Sequence, residues 1–347
     1  MKIDKLVLLA VVICAIVLAG EFMAYGPNVH NYGADANING GSVDISISSS
    51  GADTYSAIVM DNGDHQPITQ LYIYTDDRYE EFFGEASDMV RMARIDRSYS
   101  IDQIWRTLYV RGFTNIELLN DEQLLNALGG DLNTQDQKGL LILSYALPEE
   151  VYSGNAEDLI FKWIDHGGYV YSMSSPLGLF YHGKEGLVAV ENGQELFFGK
   201  DCMYTGMASD RPDTGVAHTV IDDGGLTAAL GLKWNRIPFA LDVSGTDGAL
   251  AMGFSEDGYS TVSMVPFGHG MICVLGGFYE RQQVDDIGQI IASGMTCYSE
   301  ILGIMNGNIT RQTIHLDQEI PNDKDNVSVY VSIGGNYLTF GRLIQCS

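Results

Sequence analysis

At 347 residues, 46% of them apolar, the chain is long enough for one large domain with appendages or two ordinary ones, which excludes both a peptide-sized disulfide scaffold and general disorder. A mean hydropathy of +0.02 excludes a polytopic membrane protein. Forty-five acidic against nineteen basic side chains give a formal charge of −26, so the surface repels phosphate polymers and nucleic acid is not an expected partner.

The N-terminus reads as a targeting segment. Lys2 and Lys5 precede an unbroken apolar run from Leu6 to Gly20. As a helix this run rises about 22 Å, the length of a cleavable signal core. Extended through Phe22, Met23 and Tyr25 it approaches the roughly 20 residues of an uncleaved anchor with a cytoplasmic N-terminus. Residues 1–25 are therefore expected to be a signal anchor or signal peptide, with residues 6–25 in contact with the membrane. The remainder would lie outside, in a single-pass cell-membrane protein or in a secreted one if the leader is removed. In that setting Asn308-Ile309-Thr310 and Asn326-Val327-Ser328 make Asn308 and Asn326 candidate glycosylation acceptors. Cys202, Cys273, Cys297 and Cys346 allow two disulfides in three connectivities, although Cys273, in the apolar run MICVLGG, also fits a buried free thiol.

Residues 26–40 have no apolar period and read as a linker. Val43, Ile45 and Ile47, a Ser-Ser-Gly turn, then Tyr55, Ala57 and Val59 read as a β-hairpin, so 26–66 is expected to be a linker and N-terminal hairpin. Val327, Val329, Val331 and Ile333, followed by Gly334-Gly335-Asn336 and Tyr337, repeat the pattern inside a C-terminal β segment, 309–347. A lone hairpin is marginal in water, so the two ends are expected to pair with each other.

Between them, 67–308 alternates strand and helix signals. LYIYT (71–75) predicts a buried strand ending at Asp76 and Asp77, and Phe82, Phe83, Ala86, Met89, Val90 and Ala93 fall at helical spacing. Ser100 with Gln103 predicts a capping box opening a second helix that ends at Gly112. Strands are predicted at 115–120, 139–145 and 169–175, separated by a helix carrying Leu124, Leu125 and Leu128 and one that Asn155 caps. Such alternation predicts right-handed crossovers and a parallel sheet. Beyond residue 180, Asn192-Gly193 and Asp257-Gly258 predict hairpins, and Met271 to Gly276 a strand after the Gly268-His269-Gly270 turn. A helix through Val284, Ile287 and Ile291 and a shorter one over 296–305 complete the reading. The expected fold is α/β, a mainly parallel flavodoxin-like sheet flanked by helices with an antiparallel extension, plus a small all-β module formed by the terminal hairpins.

The run LLILSYALPEEV, a helix, HGGYVYSMSSPLG, and much later VSMVPFGHGMICVLGGFYE resembles the class I glutamine amidotransferase-like superfamily. Enzymes of that superfamily carry a nucleophile on a G-x-C-x-G strand-to-helix elbow, with a His and a Glu after a late strand. The resemblance implies Ser174 at the nucleophile position, but Ser172 and Pro176 stand where the elbow needs glycines. Glu280 overlies the late acid, with Phe278 and Tyr279 where the base belongs. A serine without a general base is a poor nucleophile, so the resemblance implies a domain that keeps the fold without the dyad. His182 and His269 are the candidate imidazoles that a Ser174 hydrolase would have to recruit.

Asp76, Asp77, Tyr145 and Ser175 lie at the strand ends where parallel sheets bind ligands, and are the candidate binding residues for a small solute or glycan. Arg91, Arg94, Arg97, Arg106 and Arg111 gather five of the eleven arginines, either as a dock for an anionic glycan or acidic partner, or as a solvated face paired with Asp88, Asp96 and Asp102. No motif asks for a metal or another cofactor. The expectation is a membrane-anchored or secreted surface protein whose non-catalytic amidotransferase-like domain has a binding or structural role, with a cell-surface protein or glycan as its expected partner. The alternatives are a serine hydrolase on Ser174 and an extracellular small-solute or glycan receptor.

Overall fold

The computed structural model describes residues 31–66, 68–84, 88–110, 113–172, 177–199, 204–205, 240–241, 246, 248–254, 260–275, 288, 291, 300–334 and 339–346. The chain opens with β1 (Tyr32–Asn39) and a 20-residue β2 (Ser42–Asp61), followed by β3 (Gln70–Tyr74), the short α1 (Glu80–Phe83) and α2 (Asp88–Val110). Next come β4 (Ile116–Leu119), α3 (Asp121–Asp131), β5 (Lys138–Ile142), β6 (Leu147–Pro148), α4 (Leu159–Asp165) and β7 (Tyr169–Ser172). After β8 (Phe180–Gly183), β9 (Gly186–Ala189) and α5 (Gly193–Phe198), the strands are β10 (Tyr204–Thr205), β11 (Ala240–Leu241), β12 (Leu250–Phe254), β13 (Ser260–Phe267) and β14 (Gly270–Leu275). The chain closes with another 20-residue strand, β15 (Glu300–Glu319), then β16 (Val327–Gly334) and β17 (Thr339–Gln345).

The fold is mixed α/β and rich in strands. A partly parallel sheet has the order β10-β11-β13-β14-β7-β5-β3-β4, with β12 on β13. The strands from β14 through β7, β5 and β3 to β4 are parallel, and the pairs among β10 to β14 are antiparallel, which gives the antiparallel extension. Both faces of the parallel part are covered. Leu71 and Ile73 of β3 enter one buried cluster with Ile104 and Leu108 of α2. Tyr72 and Tyr74 enter another with Leu124 and Leu128 of α3 and Ile160 and Ile164 of α4. That is why LYIYT reads as a continuous apolar run instead of an alternation.

A second, wholly antiparallel sheet has the order β1-β2-β16-β17, with β15 also on β2, so both ends of the chain do build it together. Its details differ from the sequence reading. Residues 43–59 form one strand instead of a hairpin, and the turn partner of β2 is β1, drawn from the segment read as a linker. The predicted helix over 296–305 is replaced, from Glu300 onward, by β15, whose backbone pairs with β2 along nearly its full length.

Two further elements depart from expectation. Helix α2 runs unbroken through Ser100, which is buried inside it instead of capping a second helix; no Gly or Pro interrupts residues 88–110. After Asn192, in the left-handed region at φ 58°, the chain enters α5 and not a hairpin strand. The helix carries Phe197 into contact with Tyr152 and Phe161, at ring-centroid distances of 5.2 and 4.7 Å, burial that outweighs the turn dipeptide. The Gly268-His269-Gly270 turn is present, and close packing accounts for its glycines. A Cβ on Gly268 would stand 1.9 Å from Asp165 Oδ1, and one on Gly270 2.2 Å from the Gly168 carbonyl oxygen.

Among the described residues no helix is long and apolar enough to cross a membrane, which corrects the single-pass expectation. The 23-residue α2 has the length but is studded with Asp and Arg. The apolar run from Leu6 to Gly20 lies outside the described residues. Cys273 and Cys346 are buried free thiols, while Cys202 and Cys297 lie outside the described residues.

Candidate functional site

The parallel strands order as β4-β3-β5-β7, so the chain leaves β3 toward one side for β4 and returns past β3 to β5. Between β3 and β5 the direction of winding reverses, the place where the loops leaving the C-terminal ends of parallel strands tend to part and admit ligands. Asp76 leaves β3 there, and Ser144 leaves β5 directly beside it.

The Ser144 hydroxyl donates to Asp76 Oδ2 in a short contact. The Arg78 amide donates to Asp76 Oδ1 at 2.9 Å, and His182 Nε2, from β8, stands 3.2 Å from Oδ2. The other ring nitrogen of His182 is 2.8 Å from Glu81 Oε2, so the buried imidazole is lodged between two carboxylates. Burial by itself would push the Asp76 carboxyl up. The hydrogen bonds from His182, Ser144 and the Arg78 amide outweigh it and hold the group well below the usual carboxylate range.

A second carboxylate faces the first. Asp121 opens α3, directly after Asn120, whose side chain accepts from the Gln123 amide while Gln123 returns a bond to the Asn120 amide. This capping box fixes the first turn and aims Asp121 at β3. Arg78 Nη2 lies 2.9 Å from Asp121 Oδ2 and 3.4 Å from Asp76 Oδ2, and donates to the Tyr74 hydroxyl at 3.1 Å. That hydroxyl is in turn 2.8 Å from Asp121 Oδ1 and 3.2 Å from Asp76 Oδ2. Burial, then the charges of Asp76 and Asp121, raise the Tyr74 pKa, so the phenol stays protonated.

Asp76, Arg78 and Asp121 line an open cleft of about 790 Å³, bordered further by Asp77, Glu122, Ser98 and two arginines of α2. Arg94 pairs with Glu80 at 2.6 Å. Arg97 reaches over the sheet edge, its guanidinium carbon 5.6 Å from the ring centroids of both Tyr79 and Tyr145. Those two rings meet edge to face at 6.0 Å.

Of the residues singled out from sequence, Asp76 and Asp77 line the cleft and Tyr145 packs against its wall residue Tyr79, while Ser174, Ser175 and Glu280 lie outside the described residues. His182 is committed to Asp76 and Glu81, and the exposed His269 to the Asp165 carbonyl at 2.9 Å. Asn308 is exposed on β15, whereas the Asn326 amide donates to the Gly63 and His65 carbonyls at 2.7 and 3.0 Å. Arg94 and Arg97 find their partners outside their own helix. Ser144, Glu81, Asp121 and Arg78 were not foreseen, because what identifies them is contact across 43 to 101 residues of sequence. Among the described residues no group of three His, Cys, Asp or Glu side chains is spaced to hold a metal ion.

No protein-family model matches the chain, and no curated protein matches its sequence. Solved structures similar to it include the exo-β-1,4-mannosidase Op5Man5 from Opitutaceae bacterium strain TAV5, with a TM-score of 0.36 and 11% identity over 65% of this chain and 34% of that one. Another is Gan42B, a GH42 β-galactosidase, with a TM-score of 0.42 and 13% identity over 77% of this chain and 34% of that one. A third is the cold-adapted β-galactosidase from Rahnella sp. R3, with a TM-score of 0.34 and 12% identity over 81% and 41%. The chain thus spans between 34% and 41% of the length of these enzymes. They are glycoside hydrolases and not amidotransferases. The amidotransferase-like expectation, with the non-catalytic surface-protein role drawn from it, is thus corrected: none of these similar structures is of that superfamily.

Proposed function

We propose that the cleft at the C-terminal ends of β3 and β4 binds a small hydroxyl-rich solute of the saccharide class. The observation that carries this reading is the Asp76–Arg78–Asp121 bridge. It sets guanidinium donors between two carboxylate acceptors within hydrogen-bond reach of one another, the alternation that neighbouring sugar hydroxyls satisfy. A volume of about 790 Å³ falls within the range of small-ligand clefts. Asp76, its carboxyl held well below the usual range, serves as the ionised anchor that keeps Arg78 oriented. Asp121, with 43% of its side chain exposed, is the acceptor that meets a ligand hydroxyl.

The reading is tested by titrating the full chain calorimetrically with a panel of neutral and acidic mono- and disaccharides. At least one should bind, and Asp121→Asn should weaken that binding about tenfold or more, as expected for a hydrogen bond to a charged acceptor. A panel in which neither class gives heat or a melting shift overturns it.

A further inference from the structure

Most charges bordering the cleft are already matched. Arg78 is shared by Asp76 and Asp121, Arg94 holds Glu80, and His182 lies between Asp76 and Glu81. Asp77 and Glu122 are exposed at the rim, where water screens them. Arg97 differs from all of these. Its side chain borders the cleft, its guanidinium lies over the rings of Tyr79 and Tyr145 and is hydrogen-bonded to Tyr145, and Nη1 is still buried without a hydrogen-bond partner. A guanidinium donor removed from water and left unsatisfied is costly, and a group in that position normally has an acceptor. A ligand in the cleft can supply that acceptor, and the planar fork of an arginine matches a carboxylate best. The contacts with both rings and the bond to Tyr145 already order the side chain, so little further ordering is needed on binding.

We infer that the cleft selects carboxylate-bearing sugars, of the uronic acid class, over neutral ones, with Arg97 as the residue that reads the carboxylate. This rests on the saccharide reading of the same cleft and narrows it. Asp121 and Arg78 engage the hydroxyls common to both sugar classes, and Arg97 supplies the discrimination.

The test is calorimetric titration of the full chain at low salt with D-glucuronate, D-glucose and acetate. Glucuronate should bind at least about tenfold tighter than glucose, as a charge-assisted hydrogen bond provides, and acetate should bind far more weakly than either sugar. Arg97→Gln should bring glucuronate to the level of glucose and leave glucose unchanged, with Arg97→Lys in between. Should the Gln variant fail to fold by circular dichroism, salt provides the second readout. Raising it from 20 to 500 mM should weaken glucuronate and spare glucose if a charge is being read. Equal binding of the two sugars overturns the acid selectivity and leaves the saccharide reading standing. Acetate binding as tightly as glucuronate overturns it in favour of a plain anion site. Absence of binding by both sugars removes the saccharide reading itself.

Discussion

Asp76 shows how a single carboxylate is made into a fixture. It accepts from a serine hydroxyl and a backbone amide, faces an imidazole and a guanidinium, and is held ionised despite its burial. Because its pKa in the folded chain lies below the unfolded value, the stability it contributes is fully present above the ordinary aspartate pKa near 4. That stability is lost as pH falls from there toward the depressed folded value. Asp76→Asn should therefore cost about 3 kcal/mol at pH 7, the usual price of leaving buried charges unmatched. Urea unfolding followed from pH 7 to pH 2.5 should show the gap between wild type and variant narrowing below pH 4; a constant gap would mean that Asp76 is not held ionised by its neighbours. At this scale the sequence was legible up to Asp76 and Asp77, because a strand pattern ends at them and parallel strands present ligand groups at that end. It was silent on Ser144 and Asp121 and placed His182 only as a partner for Ser174, because all three reach Asp76 or Arg78 only after β5, α3 and β8 have been placed by packing.

Among the elements, β2 illustrates why a correct periodicity can still give a wrong topology. Its alternation breaks at Ser49-Ser50-Gly51, which resembles a turn. In the folded chain the break marks where β2 exchanges one neighbour for another: β1 pairs with residues 42–49 and β16 with residues 54–61. Strand β15 spans both halves, and its register shifts between Thr310 and Gln312 to follow the bend, with Arg311 at φ 47°. The Ser49 hydroxyl accepts from the Gly51 amide and donates to Asp53, stitching the bend from inside. Whether a polar interruption is a turn or a bend is decided by a partner strand 250 or more residues away, which no local pattern contains. A non-glycine residue in the left-handed region costs about 1–2 kcal/mol, part of which glycine returns as unfolded-state entropy. Arg311→Gly should thus stabilise the chain by up to about 1 kcal/mol and raise Tm by about 1–2 °C in a thermal melt. A lowered Tm would mean that the exposed Arg311 side chain holds the bulge through contacts of its own.

At the scale of the whole molecule, the two sheets share a core. The second half of β2 is buried on both faces. Ala57 and Val59 point into a cluster with Val43, Val329 and Val331, all from the antiparallel sheet. Ile58 and Met60 point the other way, with Tyr330 of β16, into the cluster that holds Leu71, Ile73, Leu141 and Tyr169 of the parallel sheet. Lys324 adds a polar tie at the same junction, donating to the buried Asp61 at 2.7 Å, and the Ser328 hydroxyl donates to Asn62 at 2.8 Å. Strand alternation made Ala57 and Val59 legible as one inward face. The burial of Ile58 and Met60 was hidden, because a period of two assigns the opposite face to solvent unless a second layer covers it. Two layers joined through apolar side chains and not through a flexible linker should unfold together. Met60→Ala removes a fully buried side chain at that junction and should cost about 2–5 kcal/mol. Scanning calorimetry should show one endotherm for the described fold, displaced as a whole to lower temperature in the variant. Two endotherms, of which only one moves, would mean that Ile58, Met60 and Tyr330 fill space between independent bodies, and that the cleft on the parallel sheet stands without support from the chain ends.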